Sequence, residues 1–515
     1  MERKEYLYYR LLEIIPGLLV WSTFAILIFL SFREPVLAIY FIILFDVYWM
    51  IRISYLMFFV IVSWGRYRSA ARIDWNAALD RDFGIGSGKQ WRDYWHIIFL
   101  PTYKEPYEVI HASISAIAHS SYDQKRKMII VLAGEERDRE QFEQHATRVK
   151  SDFSSQFHAV LCTTHPTGLP GELAGKGSNL FYAGSVAKRY IDEQGIDYAK
   201  IIVSTFDIDT VAHPQYFSYL TYHFLKHPNP YRASFQPLTL YHNNIWESDP
   251  LIRVVANSTT FWLLTDLARS DRLFTFSSHS MSWQALVDIN FWQNNIVTED
   301  SRIFLQAFIH YDGDYEVSPM YITVSMNTVF MGHFWRSLWN QYKQMRRWAY
   351  GVEHFPYMVW HFRKNKKIPF KKKLTYLWNQ TEGVYSWATA PIILLIGGRL
   401  PLLVTELSHN TSVIIQQAPL VLSAIMTAAL WGIILIAVLS TFILPSQPTR
   451  GIKKIWRYLI MLLQWALFPV TLIVFGALPA VDAQTRLMLG RYLDFWVTEK
   501  KRGSDITAKD ARMPV

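Results

Sequence analysis

The chain has 515 residues, of which 51% are hydrophobic and 16% aromatic against 18% charged. This is more apolar side chain than one soluble core needs, and it excludes a small disulfide scaffold, a coiled coil and a disordered chain. The net charge of +10, from 52 Lys and Arg against 42 Asp and Glu, admits an anionic membrane surface, phosphorylated substrates or nucleic acid as partners, and where the charge sits decides among them.

Apolar residues gather at the two ends of the chain. Ile14 to Phe32 carries no charge, about 29 Å of helix at 1.5 Å per residue, which matches a hydrocarbon core. It is expected to span a membrane and to stay in the mature chain, because no small-residue cleavage site follows the long apolar run after the basic Met1–Arg10 leader. Val36 to Trp64 is interrupted only by Asp46 and Arg52, which either snorkel or face a protein-lined interior. Residues 1–64 therefore read as a transmembrane hairpin and 65–94 as a linker. The Gly84-Ile85-Gly86-Ser87-Gly88-Lys89 stretch is not a phosphate loop, since Phe83 and Gln90 stand where that motif needs Gly and Ser or Thr.

From Trp95 to about His310, short apolar runs alternate with amphipathic ones. Trp95–Leu100, Met128–Leu132, His158–Leu161, Ile201–Phe206, Arg232–Gln236 and Leu273–Ser277 are expected strands; Glu136–Lys150, Lys176–Gln194 and His213–Leu225 are expected helices. The alternation predicts a mostly parallel α/β sheet with crossover helices, ligands sitting beyond the carboxyl ends of the strands. Cys162, the only cysteine, can form no intrachain disulfide, so this middle part reads as facing a reducing, cytoplasmic side.

The fourth run ends in Asp207-Ile208-Asp209, two carboxylates one residue apart that suit Mg²⁺ or Mn²⁺ bound to a diphosphate. Thr298-Glu299-Asp300 opens a helix. Alone, the first reads as a solvated turn and the second as a helix cap. From Met331 to Tyr350, aromatic and basic residues recur at helical spacing, as in a helix lying in the bilayer interface. It ends in Gln344-Met345-Arg346-Arg347-Trp348, which supplies an amide for hydroxyls, a fixed cation for phosphate and a flat ring for a sugar.

The basic run Arg363, Lys364, Lys366, Lys367, Lys371, Lys372 and Lys373 precedes the second apolar block with no RNA- or DNA-binding motif beside it, and reads as a positive-inside signal. Gly383–Gly398, Asn410–Pro445 and Tyr458–Val481 are charge-free candidate spans or re-entrant segments. Basic residues in the loop between the last two and in the tail place both in the cytoplasm, which requires an even number of crossings.

In order along the chain, Pro101-Thr102-Tyr103-Lys104-Glu105, Gly175-Lys176-Gly177-Ser178-Asn179, Asp207-Ile208-Asp209, Thr298-Glu299-Asp300 and Gln344-x-x-Arg347-Trp348 resemble the motifs of membrane-embedded family 2 glycosyltransferases, the group of cellulose, chitin and hyaluronan synthases. Phe495-x-Val497-Thr498-x-Lys500 looks like the gating-loop motif of cellulose synthases. The resemblance runs from about Trp95 to Lys500. It implies a glycosyltransferase A-type α/β domain over 95–328, interface helices over 329–375, a C-terminal transmembrane region over 376–481 and a cytoplasmic tail over 482–515. It also implies an integral protein of the plasma or inner membrane that takes a nucleotide sugar, a divalent Mg²⁺ or Mn²⁺ and a glycan or lipid-linked acceptor. Tyr103, Glu105 and Glu135 would line the nucleotide pocket, with Lys176 near the diphosphate, Arg347 helping to stabilise it as it departs, and Thr498 and Lys500 closing over the bound nucleotide. Asp207 and Asp209 would hold the metal, Asp300 would be the general base, and Glu299, Gln344 and Trp348 would meet the acceptor. Two places depart from the family pattern: Glu135-Glu136 stand where an Asp usually follows the second strand, and Ser277–Trp283 lacks the usual acceptor-side sequence. Nucleotide preference and acceptor identity are therefore not inherited, and His279 reads as structural.

Overall fold

The computed structural model describes residues 3–407, 413–445 and 452–494. Eight strands form one mixed sheet: β1 (Trp95–Pro101), β2 (Met128–Glu135), β3 (Ala159–His165), β4 (Ile201–Thr205), β5 (Val211–Ala212), β6 (Ala233–Leu240), β7 (Ser280–Ser282) and β8 (Glu316–Ser325), in the order β3-β2-β1-β4-β7-β6-β8-β5. The β3-β2-β1-β4 half is parallel throughout. Ile97–Leu100 of β1 and Met128–Ala133 of β2 are buried along their whole length, as strands covered on both faces must be. The crossovers are the helices Tyr107–Ala118, Arg139–Phe153 and Lys176–Gln194.

The other half is mixed, because β7 runs antiparallel between β4 and β6 while β8 runs parallel to β6. The expected strand at Leu273–Ser277 is absent. Its aromatic, β-branched composition is satisfied by side-chain packing instead: Phe274 lies 5.1 Å from Phe304 and 5.8 Å from Tyr376, ring centre to ring centre. Ser278, at φ +67°, then turns the chain, so ladder pairing begins only at Ser280. β8 lies beyond His310, where the alternating pattern ends.

Flanking this sheet, four helices among the described residues are long and apolar enough to cross a membrane: Arg3–Arg33, Pro35–Ala70, Gln416–Ile443 and Ile455–Met488. Phe370–Leu395 and Gly397–Leu407 form a pair bent by 43°, and counting that pair as one span makes five. Phe29, Leu44, Phe58, Leu420 and Trp431 point outward from these helices, which suits lipid rather than water. Gly17 lets the first helix approach the last: a Cβ there would stand 2.8 Å from Met488 Cβ. Asp46 is buried among the helices, and Arg52 pairs with Glu382 at 2.7 Å, so both ionisable groups of the second span face protein.

The Phe334–Ala349 helix is amphipathic in the reverse sense of a water-soluble helix. Ser337, Asn340, Gln341 and Gln344 are buried against the protein, whereas Trp335 and Trp339 are 70% and 56% exposed. Arg346 ties it to Asp482 near the end of the Ile455–Met488 helix at 2.9 Å.

Candidate functional site

The first residue of the Lys176–Gln194 helix is a cation, which the positive end of a helix disfavours. Two carboxylates offset that cost, with the Glu299 carboxyl beside them. Lys176 Nζ lies 2.6 Å from Asp207 Oδ1, 2.7 Å and 2.9 Å from the two oxygens of Asp300, and 3.7 Å from Glu299 Oε1. Asp207 follows β4, while Glu299 and Asp300 occupy the first turn of the Glu299–His310 helix, where negative charge is favoured. Gly177 permits the approach, since a Cβ there would meet the Gln293 carbonyl oxygen at 2.7 Å. The Ser178 hydroxyl closes the turn, accepting from Gly175 N–H at 3.2 Å and donating to Gly175 O at 3.0 Å. Surrounded this way, the Lys176 ammonium is held protonated well above its ordinary value, its carboxylate partners outweighing the effect of burial.

The two carboxylates of Asp207-Ile208-Asp209 have different partners. Asp207 Oδ2 accepts from the Ser277 hydroxyl at 2.7 Å, whereas the buried Asp209 Oδ2 accepts from Asn327 N–H at 3.0 Å. Asn243 Nδ2 donates to the Asp209 carbonyl at 2.9 Å. Glu299 is 1% exposed; its burial and the neighbouring Asp300 push its carboxyl up to about 8, against the pull of Lys176 and Arg347.

Tyr241, just past β6, joins these carboxylates to the aromatic end of the Phe334–Ala349 helix. Its ring centre is 5.9 Å from that of Trp348. Burial, then the fields of Asp207, Asp209 and Asp300, keep its hydroxyl protonated well above the usual range, with Arg347 opposing them. Gln344 is buried beside it, its Oε1 accepting from Gln341 Nε2 at 3.2 Å. Tyr241, Thr328, Gln341, Gln344 and Trp348 border a cleft of about 10 Å³, room for one water.

A second group lies at the ends of β1 and β2. Glu135 is buried and accepts from Arg137 Nε at 2.6 Å, and the same guanidinium stands 4.3 Å from the Tyr103 ring centre. Burial raises the Glu135 carboxyl, and Arg137 opposes the rise. Glu105 is half-buried next to this group, its carbonyl accepting from Gln141 Nε2 at 3.4 Å. Asn179 Nδ2 donates to Ala133 O at 2.8 Å, tying the Lys176 helix to β2. Both groups thus lie where the parallel strands end. His279 is buried, its Nδ1 hydrogen-bonded to the Phe276 carbonyl at 2.9 Å. Thr498 and Lys500 fall outside the described residues.

Among the described residues, no three His, Cys, Asp or Glu side chains are grouped to hold a metal by themselves. The donor set fits a narrower role. Asp207 and Asp209 offer the one or two hard oxygen ligands that a divalent cation takes from protein when a diphosphate supplies the rest, and a cation, the Lys176 ammonium, already stands on Asp207.

Tyr241, Asn243 and Asn327 are not singled out by the sequence motifs, and Ser277 enters there only as the start of the acceptor-side stretch that departs from the family pattern. Tyr241 and Asn243 follow directly on β6, so the rule that ligands gather beyond strand ends would have pointed to them.

No protein-family model matches the chain, and no curated protein matches it. Among solved structures, the mannosyltransferase PcManGT from Pyrobaculum calidifontis, in complex with GDP-Man and Mn²⁺, is 14% identical over 81% of this chain and 99% of its own, with a TM-score of 0.41. S. aureus TarS 1–349 in complex with UDP-GlcNAc is 12% identical over 65% of this chain and 92% of its own, with a TM-score of 0.31. Its complex with UDP covers 79% of this chain and 95% of its own at 10% identity and a TM-score of 0.35.

Proposed function

We propose that the chain is an inverting membrane glycosyltransferase that moves a sugar from a UDP-linked donor to a growing β-linked polysaccharide. The observation that carries this reading is the meeting of Asp207, Glu299 and Asp300, from distant parts of the chain, on the single ammonium of Lys176. Trp348, Tyr241 and Arg347 stand beside that cluster.

In this reading Asp300 takes the proton of an acceptor hydroxyl while the hydroxyl oxygen bonds to the anomeric carbon and the bond from that carbon to the diphosphate breaks. Lys176 and Arg347 stabilise the charge that grows on the departing diphosphate, which draws the ammonium off Asp300 and frees the base. Asp207 and Asp209 hold Mg²⁺ or Mn²⁺, which supplies further neutralisation of the diphosphate when bound. Tyr103, Glu105 and Glu135 line the nucleotide pocket, and Glu299, Gln344 and Trp348 meet the acceptor, the indole as a platform for a sugar ring. Lys500 and the motif around it close over the nucleotide.

With the bent pair Phe370–Leu395 and Gly397–Leu407 taken as re-entrant, four spans remain among the described residues, an even number that supports a cytoplasmic sheet domain and tail. The outward aromatic face of the Phe334–Ala349 helix supports a site at the bilayer surface, and it also favours a second reading, single transfer to a lipid acceptor. Incubation of the purified chain in nanodiscs with labelled UDP-sugars and Mn²⁺, followed by sizing of the product, tests both. Chains of many added sugars support the polymerase, one added sugar on lipid supports the second reading, and no UDP release removes both.

A further inference from the structure

A polar cavity of about 230 Å³ lies where the first membrane helix meets the sheet domain and the end of the last helix. It is lined by Glu13, Glu353, Gln293, Asn295 and the phenols of Tyr9 and Tyr357, and it shares no lining residue with the Lys176 cluster. Arg302 lines it too, and two residues of helix turn the chain by about 200°, so Asp300 and Arg302 project from opposite sides of the Glu299–His310 helix. The cavity and the candidate catalytic cluster therefore lie on opposite sides of that first turn.

The donors around the cavity decide what it can hold. Arg302 spends its own on His354 Nδ1 at 3.2 Å, Gln293 Oε1 at 2.9 Å and Glu353 O at 3.4 Å, and its guanidinium carbon lies over Tyr357, 3.9 Å from the ring centre. Arg10, behind the wall, pairs with Glu13 and donates to Leu487 O at 3.0 Å and Met488 O at 2.8 Å. With the cations so engaged and two carboxylates on the lining, a phosphate or other anion is disfavoured. Glu13 Oε2 already accepts from Arg10 and from the Tyr492 hydroxyl, Glu353 Oε1 accepts from Thr298 and Gln293 Oε1 from Arg302, so the second oxygen of each carboxylate is what is left to accept hydroxyl protons. Those oxygens, beside tyrosine rings that pack against C–H faces, are the chemistry of a neutral polyol. The volume falls below the roughly 300–1,000 Å³ of drug-sized sites, so it takes a single sugar unit rather than a nucleotide.

We infer that this cavity is a second binding site, for one neutral sugar unit presented at the membrane boundary, separate from the site proposed for transfer. The Thr298 hydroxyl donates to Glu353, and Ser301 Oγ lies 2.7 Å from His354 Nε2, so the cavity wall is fastened to the turn that carries Asp300.

The sugar has two possible sources, a glycan chain or a glycolipid headgroup, and the test has an arm for each. The full chain in phosphatidylglycerol nanodiscs is titrated with cellotetraose and, separately, reconstituted with and without glucosyl-diacylglycerol. Binding is read by saturation-transfer NMR on the sugar protons. Asn295 is exposed at the cavity mouth, so Asn295→Trp fills the space without disturbing the core, and Glu13→Gln removes one carboxylate while keeping its size. Saturation by cellotetraose assigns the site to glycan, and saturation by the glycolipid alone assigns it to lipid; in either case both variants are expected to weaken binding at least tenfold, Asn295→Trp with unchanged thermal unfolding and Glu13→Gln with a lowered midpoint, because it breaks the pair with Arg10. Undiminished binding in whichever variant folds, or no binding of either probe to the wild type, overturns the inference. A wild type that binds sugar in this cavity yet releases no UDP from any UDP-sugar would remove the transferase reading and leave this one standing.

Discussion

Lys176 and Asp300 form a two-pronged ion pair, the ammonium 2.7 Å and 2.9 Å from the two carboxylate oxygens, while the same nitrogen holds Asp207 at 2.6 Å. The acidic groups therefore share one positive charge. Lys176→Met leaves them facing one another. The cost is about 3 kcal/mol, the low end for a broken buried pair, because Asp207 and Asp300 keep 30% and 21% exposure. Thermal unfolding in detergent is expected to fall in the variant and to recover with millimolar Mg²⁺, as a ligand of the folded state requires. A lowered midpoint that ignores Mg²⁺ would show that the cluster does not accept a divalent ion.

Asp300→Asn and Asp207→Ala are expected to fail in different ways. If Asp300 is the base proposed above, the first removes the proton acceptor, so turnover drops by roughly 10²–10⁴-fold while nucleotide affinity stays near that of the wild type. The second removes the proposed metal ligand and the partner of the Ser277 hydroxyl, so the Mn²⁺-dependent part of UDP affinity is expected to be lost. Calorimetry with and without Mn²⁺, beside single-turnover assays, separates the two. Equal turnover in Asp300→Asn would mean that the base is misassigned.

Much of this site was legible in the sequence, for a physical reason. Parallel strands buried on both faces leave runs such as Ile97–Leu100 and Ile129–Leu132, and the polar residues that end such runs have to lie along one edge of the sheet. Asp207 was found that way, and the Lys176–Gln194 helix has the bounds its pattern predicts. The mixed half was harder. Leu273–Phe276 has a strand's composition but buries its side chains without a ladder, and β7 is a three-residue serine-rich strand whose pairing depends on neighbours distant in sequence. The mutual contacts of Lys176, Asp207 and Asp300 depend on Gly177 meeting the Gln293 backbone, a proximity that no local pattern encodes.

Tyr241 and Trp348, with ring centres 5.9 Å apart, separate ring from hydroxyl. If the pair serves as a platform for a sugar, Tyr241→Phe keeps the stacking face and changes acceptor KM little, whereas Trp348→Ala removes that face. The loss of an aromatic pair of this kind is worth about 0.5–1.5 kcal/mol beyond burial, so acceptor KM is expected to rise about two- to tenfold with kcat less affected. Measuring initial rates against acceptor concentration distinguishes this from a purely structural role, in which Trp348→Ala would lower the unfolding midpoint and leave KM unchanged.

Glu299 gives the fold a pH dependence whose sign is fixed. Burial and Asp300 raise its carboxyl from 4.5 to about 8, so between those values the folded chain holds a proton that the unfolded chain has released. A raised value means stability that is complete below the unfolded value and is lost as pH rises through the folded one. Glu299→Gln has no proton to lose at this position. As pH climbs from 4.5 toward 8, the stability of the wild type is expected to fall relative to the variant, by at most about 1.4 kcal/mol per pH unit for one proton. Lys176 stays charged across this window in both proteins, so it cancels from the comparison. Unfolding curves that run parallel for the two proteins would show that the Glu299 carboxyl ionises inside the fold as readily as in water.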